Sequence, residues 1–131
     1  MVTRDQIKRT LEALNEAENN VGLNGVDETI AAIDRTQSPS VVGWTNGEHR
    51  PNREAERQVE RVLFAAVANY HRVFDRMIVD PPFAAVGWRI TGTDRENDRT
   101  FELHGSSQFE FLDSGEVGKY WVHVDMSQFA A

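Results

Sequence analysis

Three strand-forming segments of ten to thirteen residues follow one another at the C-terminal end of this sequence, at 83–93, 100–112 and 117–126, and they limit its folds more than any other feature. They are rich in β-branched and aromatic residues. Polar turns, Asp94 to Asp98 and Asp113-Ser114-Gly115-Glu116, separate them. Strands usually run about five or six residues, so three this long must twist and curl. Gly87, Gly92 and Gly105 mark where a bend or bulge costs least. The connections are short, so the segments predict an antiparallel meander.

The N-terminal half has the helical period instead. Thr3 with Gln6 forms a capping-box pattern, and Ile7, Leu11 and Leu14 continue as one apolar stripe. Asn19 to Gly25 breaks that helix. Asp27 is placed to cap a second, in which Val26, Ile30 and Ile33 share a face. After a loop from Asp34 to Pro39, Val41 to Thr45 predicts a short strand ending at the turn pair Asn46-Gly47. A third and longest helix is predicted from Asn52 to about Phe74. Its expected buried stripe is Val59, Val62, Leu63, Ala66, Tyr70, Val73 and Phe74, with Arg53, Glu56, Arg57, Glu60 and Arg61 on the wet side. Met77-Ile78-Val79 then starts the strand region.

Helices followed by a meander make an α+β chain, one domain over residues 1–131, with the helices packed on one face of the sheet. A curled sheet with helices across its mouth leaves a conical cavity. The formal charge of −7 carries no basic stripe, which argues against nucleic acid. The absence of cysteine excludes disulfides, thiolate metal sites and a cysteine nucleophile. No apolar run is long enough for a bilayer and no signal peptide opens the chain, so no membrane partner and a cytoplasmic location are expected. The four histidines have no metal-ligand spacing, so no metal site is predicted. There is no phosphate-binding glycine loop and no Gly-x-Ser-x-Gly elbow.

Two stretches carry a resemblance. Ala84-Ala85-Val86-Gly87-Trp88-Arg89-Ile90-Thr91-Gly92-Thr93 resembles the V-x-x-R-W-x-x-x-G-T strand of SnoaL-like polyketide cyclases. Phe109 to Asp125 resembles their closing hairpin, an F-x-F pair, an acidic-glycine turn and a last strand with W-x-x-x-D. The resemblance implies the nuclear-transport-factor-2-like (cystatin-like) cone: three N-terminal helices on a strongly curved antiparallel or mixed sheet enclosing a pocket. It also implies a small hydrophobic ligand, no cofactor, and a homodimer through the outer face of the sheet. Where the family strand often continues into a His, this chain has Asp94. The turn from Phe111 to Val117 is one residue longer than the common form, which points to a bulge.

Asp125 falls on the family's catalytic acid/base Asp. Side chains alternate along a strand, so Trp121, His123 and Asp125 share a face. With Phe111 opposite Val117, Ser107 would pair with Trp121, Gly105 with His123 and Leu103 with Asp125. That register puts Asp125 on an apolar wall, where burial would raise its pKa, with His123 as its acid/base partner. A slip of one residue reverses the arrangement and brings His104 forward. Trp121, Ser107, Trp88, Trp44, Tyr70 and Phe109 are the candidate ligand contacts, the aromatics supplying flat apolar walls. Two functions stay open: a cofactor-independent acid/base enzyme of cyclase or isomerase type acting on a small apolar carbonyl compound, and a non-catalytic binding or dimerisation module of the same fold.

Overall fold

A computed structural model describes residues 1–127. Helix α1, Arg4–Asn19, starts at the capping box: Gln6 N donates to Thr3 Oγ1 (3.1 Å) and Thr3 N to Gln6 Oε1 (2.8 Å). Its Ile7, Leu11 and Leu14 are buried. The break after α1 contains a single turn, α2 (Val21–Asn24). Gly25, at φ 85°, then redirects the chain into α3 (Val26–Asp34). Gly25 occupies the N-cap expected for Asp27, which instead sits in the first turn and pairs with Arg61 at 2.6 Å.

Strands β1 (Gln37–Thr45) and β2 (Glu48–Arg50) form a hairpin through Asn46 and Gly47, both at positive φ as its tight turn requires. Asn52 caps α4 (Arg53–Ala66) by accepting from Ala55 N at 2.9 Å. The meander is β3 (Val67–Asp80), β4 (Phe83–Asp94), β5 (Arg99–Phe111) and β6 (Val117–Val124). The strand order is β2-β1-β6-β5-β4-β3, with β1 parallel to β6 and every other pair antiparallel. The α+β architecture and the mixed sheet follow the sequence expectation.

The long helix does not. It ends at Ala66, and Val67 to Phe74 pair with β4 as strand. Val67, Tyr70 and Phe74 repeat at a spacing that also suits a helix, but they are β-branched or aromatic, and the neighbouring strand satisfies their backbone. Bulges at Asn69, which has φ 56°, and at Asp75 shift the β3–β4 register.

The orientation of α4 is also the reverse of the expected one. Arg57 and Phe64 are buried, whereas Val59 and Val62 are 43% and 71% exposed. Arg53, Glu56, Arg57, Glu60 and Phe64 recur at i, i+3, i+4, i+7 and i+11, so the helix turns its charged stripe inward. The apolar core lies between the sheet and the helices: Ala84, Val86, Trp88 and Ile90 of β4 and Leu103, Phe109 and Phe111 of β5 meet α1, α3 and Phe64. Among the described residues, no helix is long and apolar enough to cross a membrane.

Candidate functional site

The inward stripe of α4 meets ionisable side chains from five other elements. Arg57, 2% exposed, is the hub. Its Nε donates to Asp34 Oδ1 at the end of α3 (2.6 Å), its Nη1 to Glu60 Oε1 (2.6 Å) and its Nη2 to Gln37 Oε1 at the start of β1. Three acceptors from three elements satisfy a guanidinium that burial alone would penalise heavily. On one flank Arg50 Nε donates to Glu56 Oε2 (3.2 Å), and the Tyr120 hydroxyl of β6 also hydrogen-bonds Glu56. On the other, Tyr70 donates its hydroxyl to Glu18 Oε1 (2.8 Å), while Arg72 Nη2 lies 2.7 Å from Glu18 Oε2.

Glu60 is the group these flanks share. Its side chain is 14% exposed. Burial, which Arg57 offsets only in part, and the nearby charges of Glu18 and Glu56 push its carboxyl up to about 8. Burial also raises Glu56 and Tyr120, with Arg50 and Arg57 pulling Glu56 the other way. Tyr70 rises through burial and the adjacent Glu18 carboxylate. A carboxyl near 8 is a proton donor at neutral pH and a base just above it, the range in which acid/base catalysis works best.

A glycine makes room for one flank. A Cβ on Gly43 would stand 2.2 Å from two atoms of the Tyr120 ring, its neighbour across the β1–β6 ladder. Only a residue without a side chain lets that ring lie over β1.

The residues expected at the site from the last strand are on the other side of the sheet. Phe111 does face Val117, but a bulge at Gly118 advances the register, so Glu110 pairs with Lys119 and Ser107 with Val122. Gly105 therefore pairs with Val124 rather than His123. Tyr120, not Trp121, faces inward, and His123 and Asp125 are exposed on the outside. The Asp125 carboxyl lies below its ordinary value, not above: the Ser127 backbone N–H donates to it at 2.9 Å. Trp44 is outside too, stacked on Trp121 with centroids 5.6 Å apart at 8° and on His49 at 5.1 Å. His104 is exposed and 3.1 Å from Glu102. His71, expected on a helix surface, is exposed on β3.

Four of the expected contacts do face inward. Trp88 lies over Gly105 and donates Nε1–H to Ser107 Oγ at 2.9 Å, and Phe109 is buried against Phe111. Tyr70 also points in, from a strand instead of a helix. Sequence reasoning passed over Glu18, Glu56, Arg57 and Glu60. The available signal was the regular charged stripe of α4 and the mid-strand glycine at 43.

No protein-family model matches the sequence, and no curated protein matches it. Solved structures do. A candidate SnoaL-like polyketide cyclase from Jannaschia sp. CCS1 superposes with a TM-score of 0.78 at 16% identity, over 96% of this chain and 90% of that one. The BvnE pinacolase of Penicillium brevicompactum gives 0.78 at 14% identity, over 97% and 90%. A nuclear-transport-factor-2-like protein of unknown function from Exiguobacterium sp. 255-15 gives 0.77 at 13% identity, over 89% and 98%. This chain has the SnoaL-like, nuclear-transport-factor-2-like fold. Identities this low speak for the fold alone. Within that fold, the side chains named above form the candidate site of this chain.

Proposed function

We propose that the protein is a cofactor-independent acid/base enzyme of SnoaL-like cyclase or isomerase type, acting on a small, mainly apolar carbonyl compound inside the cone. The observation that supports this is the inward charged stripe of α4, with the Glu60 carboxyl raised to about 8 by burial. Glu60 takes the role expected of Asp125. When ionised, it removes a proton from the carbon next to a carbonyl. The C–H electron pair becomes the new C=C bond, and the carbonyl π pair moves to oxygen. The proton held by Glu60 then returns to another carbon or to that oxygen. Trp88 and Phe109 belong to the apolar core beside the sheet, and Arg57 holds the Glu60 carboxyl by a hydrogen bond.

The test is deuterium exchange at the α-carbons of a panel of small ketones and aromatic carbonyl compounds, followed by proton NMR. Exchange should rise with pH and level off above about 8. It should fall by about 10²-fold or more in Glu60→Gln. Equal exchange in both proteins would remove Glu60 from the mechanism, and ligand binding without exchange would favour a binding module.

The same reading includes a homodimer through the outer sheet face, where Ile78 and Phe83 are exposed beside Trp121. A solution mass near that of one 14.9 kDa chain would remove it.

A further inference from the structure

Among the described residues strand β3 is the last in the sheet, so along one side its backbone has no neighbouring strand there. At Arg72 side chains of α1 replace that neighbour. Arg72 N donates to Asn19 Oδ1 (2.7 Å), and Asn19 Nδ2 donates back to Arg72 O (2.9 Å), the two bonds a paired strand would supply. Asn15, one helical turn earlier, donates Nδ2–H to the same carbonyl (3.2 Å) and accepts from Arg72 Nε (2.8 Å). Glu18 lies between the two asparagines in the chain. It receives the Tyr70 hydroxyl and the Arg72 charge.

Asparagine is a poor helix former, and here it stands twice on one face of a helix. A simple tether would not need both. The double bond pattern fixes backbone and guanidinium together, so α1 is set against β3 in position and in rotation. That rotation decides where the Glu18 carboxylate sits.

We propose that Asn15 and Asn19 are positioning residues for Glu60: by fixing α1 to Arg72 they hold the Glu18 carboxylate on Tyr70 and Arg72, in the charged cluster around Glu60, and keep water out of that cluster. The inference rests on Glu60 being the proton carrier proposed above. The groups that face Glu60 are Glu18 on α1, Glu56 and Arg57 on α4, Tyr70 and Arg72 on β3, and Tyr120 on β6. Only Glu18, Tyr70 and Arg72 belong to the asparagine-held arm. Both asparagines are neutral, so replacing them removes no charge. Any change they cause in Glu60 comes through position and solvent.

The experiment follows the Glu60 carboxyl by ¹³C NMR across pH 4 to 10 in the whole chain, with the resonance assigned by its loss in Glu60→Gln. In wild type the midpoint should lie near 8. In Asn19→Ala it should fall by about one unit, a tenfold change in proton affinity, because the loosened α1–β3 contact admits water and lets the Glu18 carboxylate move off. Asn15→Ala removes only the bonds of the first asparagine and should give a smaller shift the same way; it serves if Asn19→Ala does not fold. Thr10→Ala, which cuts another α1 bond, to Gly115 O at 2.8 Å, should leave the midpoint in place. An unmoved midpoint in the folded asparagine variants, or an equal shift in Thr10→Ala, would overturn the inference while leaving Glu60 as the proton carrier. A wild-type Glu60 that titrates as an ordinary carboxyl would overturn both.

Discussion

The outer face of β6 and the inner face of α4 carry the same kinds of side chain in opposite settings. His123 and Asp125 stand in solvent, and the Asp125 carboxyl, served by a backbone N–H, is held below its ordinary value. Glu60 lies among Arg57, Glu56 and Glu18, and burial holds its carboxyl far above. The polar residues that looked functional are on a surface. Those that looked like a surface are inside. What separates the two regions is geometry of a few residues' reach: one bulge at Gly118, and the rotation of one helix about its axis. Chemistry follows setting more than residue type.

The sharpest way to break the comparison is to remove the hub of the inner region. Arg57→Met keeps volume but leaves Asp34, Glu60 and Gln37 without their shared donor. Each of these acceptors loses a hydrogen bond to a charged donor, worth about 1.5–3 kcal/mol, so urea unfolding at pH 7 should show a loss of about 3–5 kcal/mol. A loss under about 1 kcal/mol would mean that the stripe is solvated, and the contrast with β6 would collapse.

A second, smaller effect lies in the pH dependence of stability. The folded Glu60 binds its proton more tightly than the unfolded chain, whose carboxyl titrates near 4.5. Its contribution is therefore fully present below about pH 4.5 and is lost as pH rises to about 8, since the folded state holds more protons across that window. Glu56 shifts in the same direction. Between pH 5 and 8 wild type should lose about 2–4 kcal/mol more than Glu60→Gln, as judged from chemical denaturation at each pH. Parallel curves for the two proteins would place Glu60 in a wet environment.

The sheet was legible and the site was not, for reasons that can be traced to residues. Alternation in Leu103–Phe111 has only one periodic explanation, so β5 was found with its inward face correct, including Ser107 and Phe109, and β4 was found as a strand. Amphipathicity in α4 gives two stripes without saying which is inside. Burial of the polar one is decided by partners distant in sequence, such as Asp34 and Glu18. The end of α4 was missed because Val67, Tyr70 and Phe74 fit the helical period, and only the bulge at Asn69 lets Val67 and Tyr70 share a face of a strand. The extra residue in the β5–β6 turn announced a bulge, but its position at Gly118 decided whether Trp121 or Tyr120 faced inward. A one-residue shift exchanges every side chain between faces.

The smallest expected effects test the outer half of the comparison. Asp125→Asn and His123→Ala alter groups that solvent already surrounds, and Val62→Lys puts a charge on a helix face that is 71% exposed. None should shift the denaturation midpoint measurably, and none should move the Glu60 titration. Asp125 loses only the bond from Ser127 N, and Asn offers an oxygen that accepts the same bond. If Val62→Lys instead cost about 2 kcal/mol or more, α4 would have its apolar stripe buried, as its amphipathicity alone suggests. If Asp125→Asn abolished exchange while Glu60→Gln left it intact, the register of β6 in the working enzyme would be the one without the bulge. Trp121, His123 and Asp125 would then face the cone, and the two regions would have to trade roles.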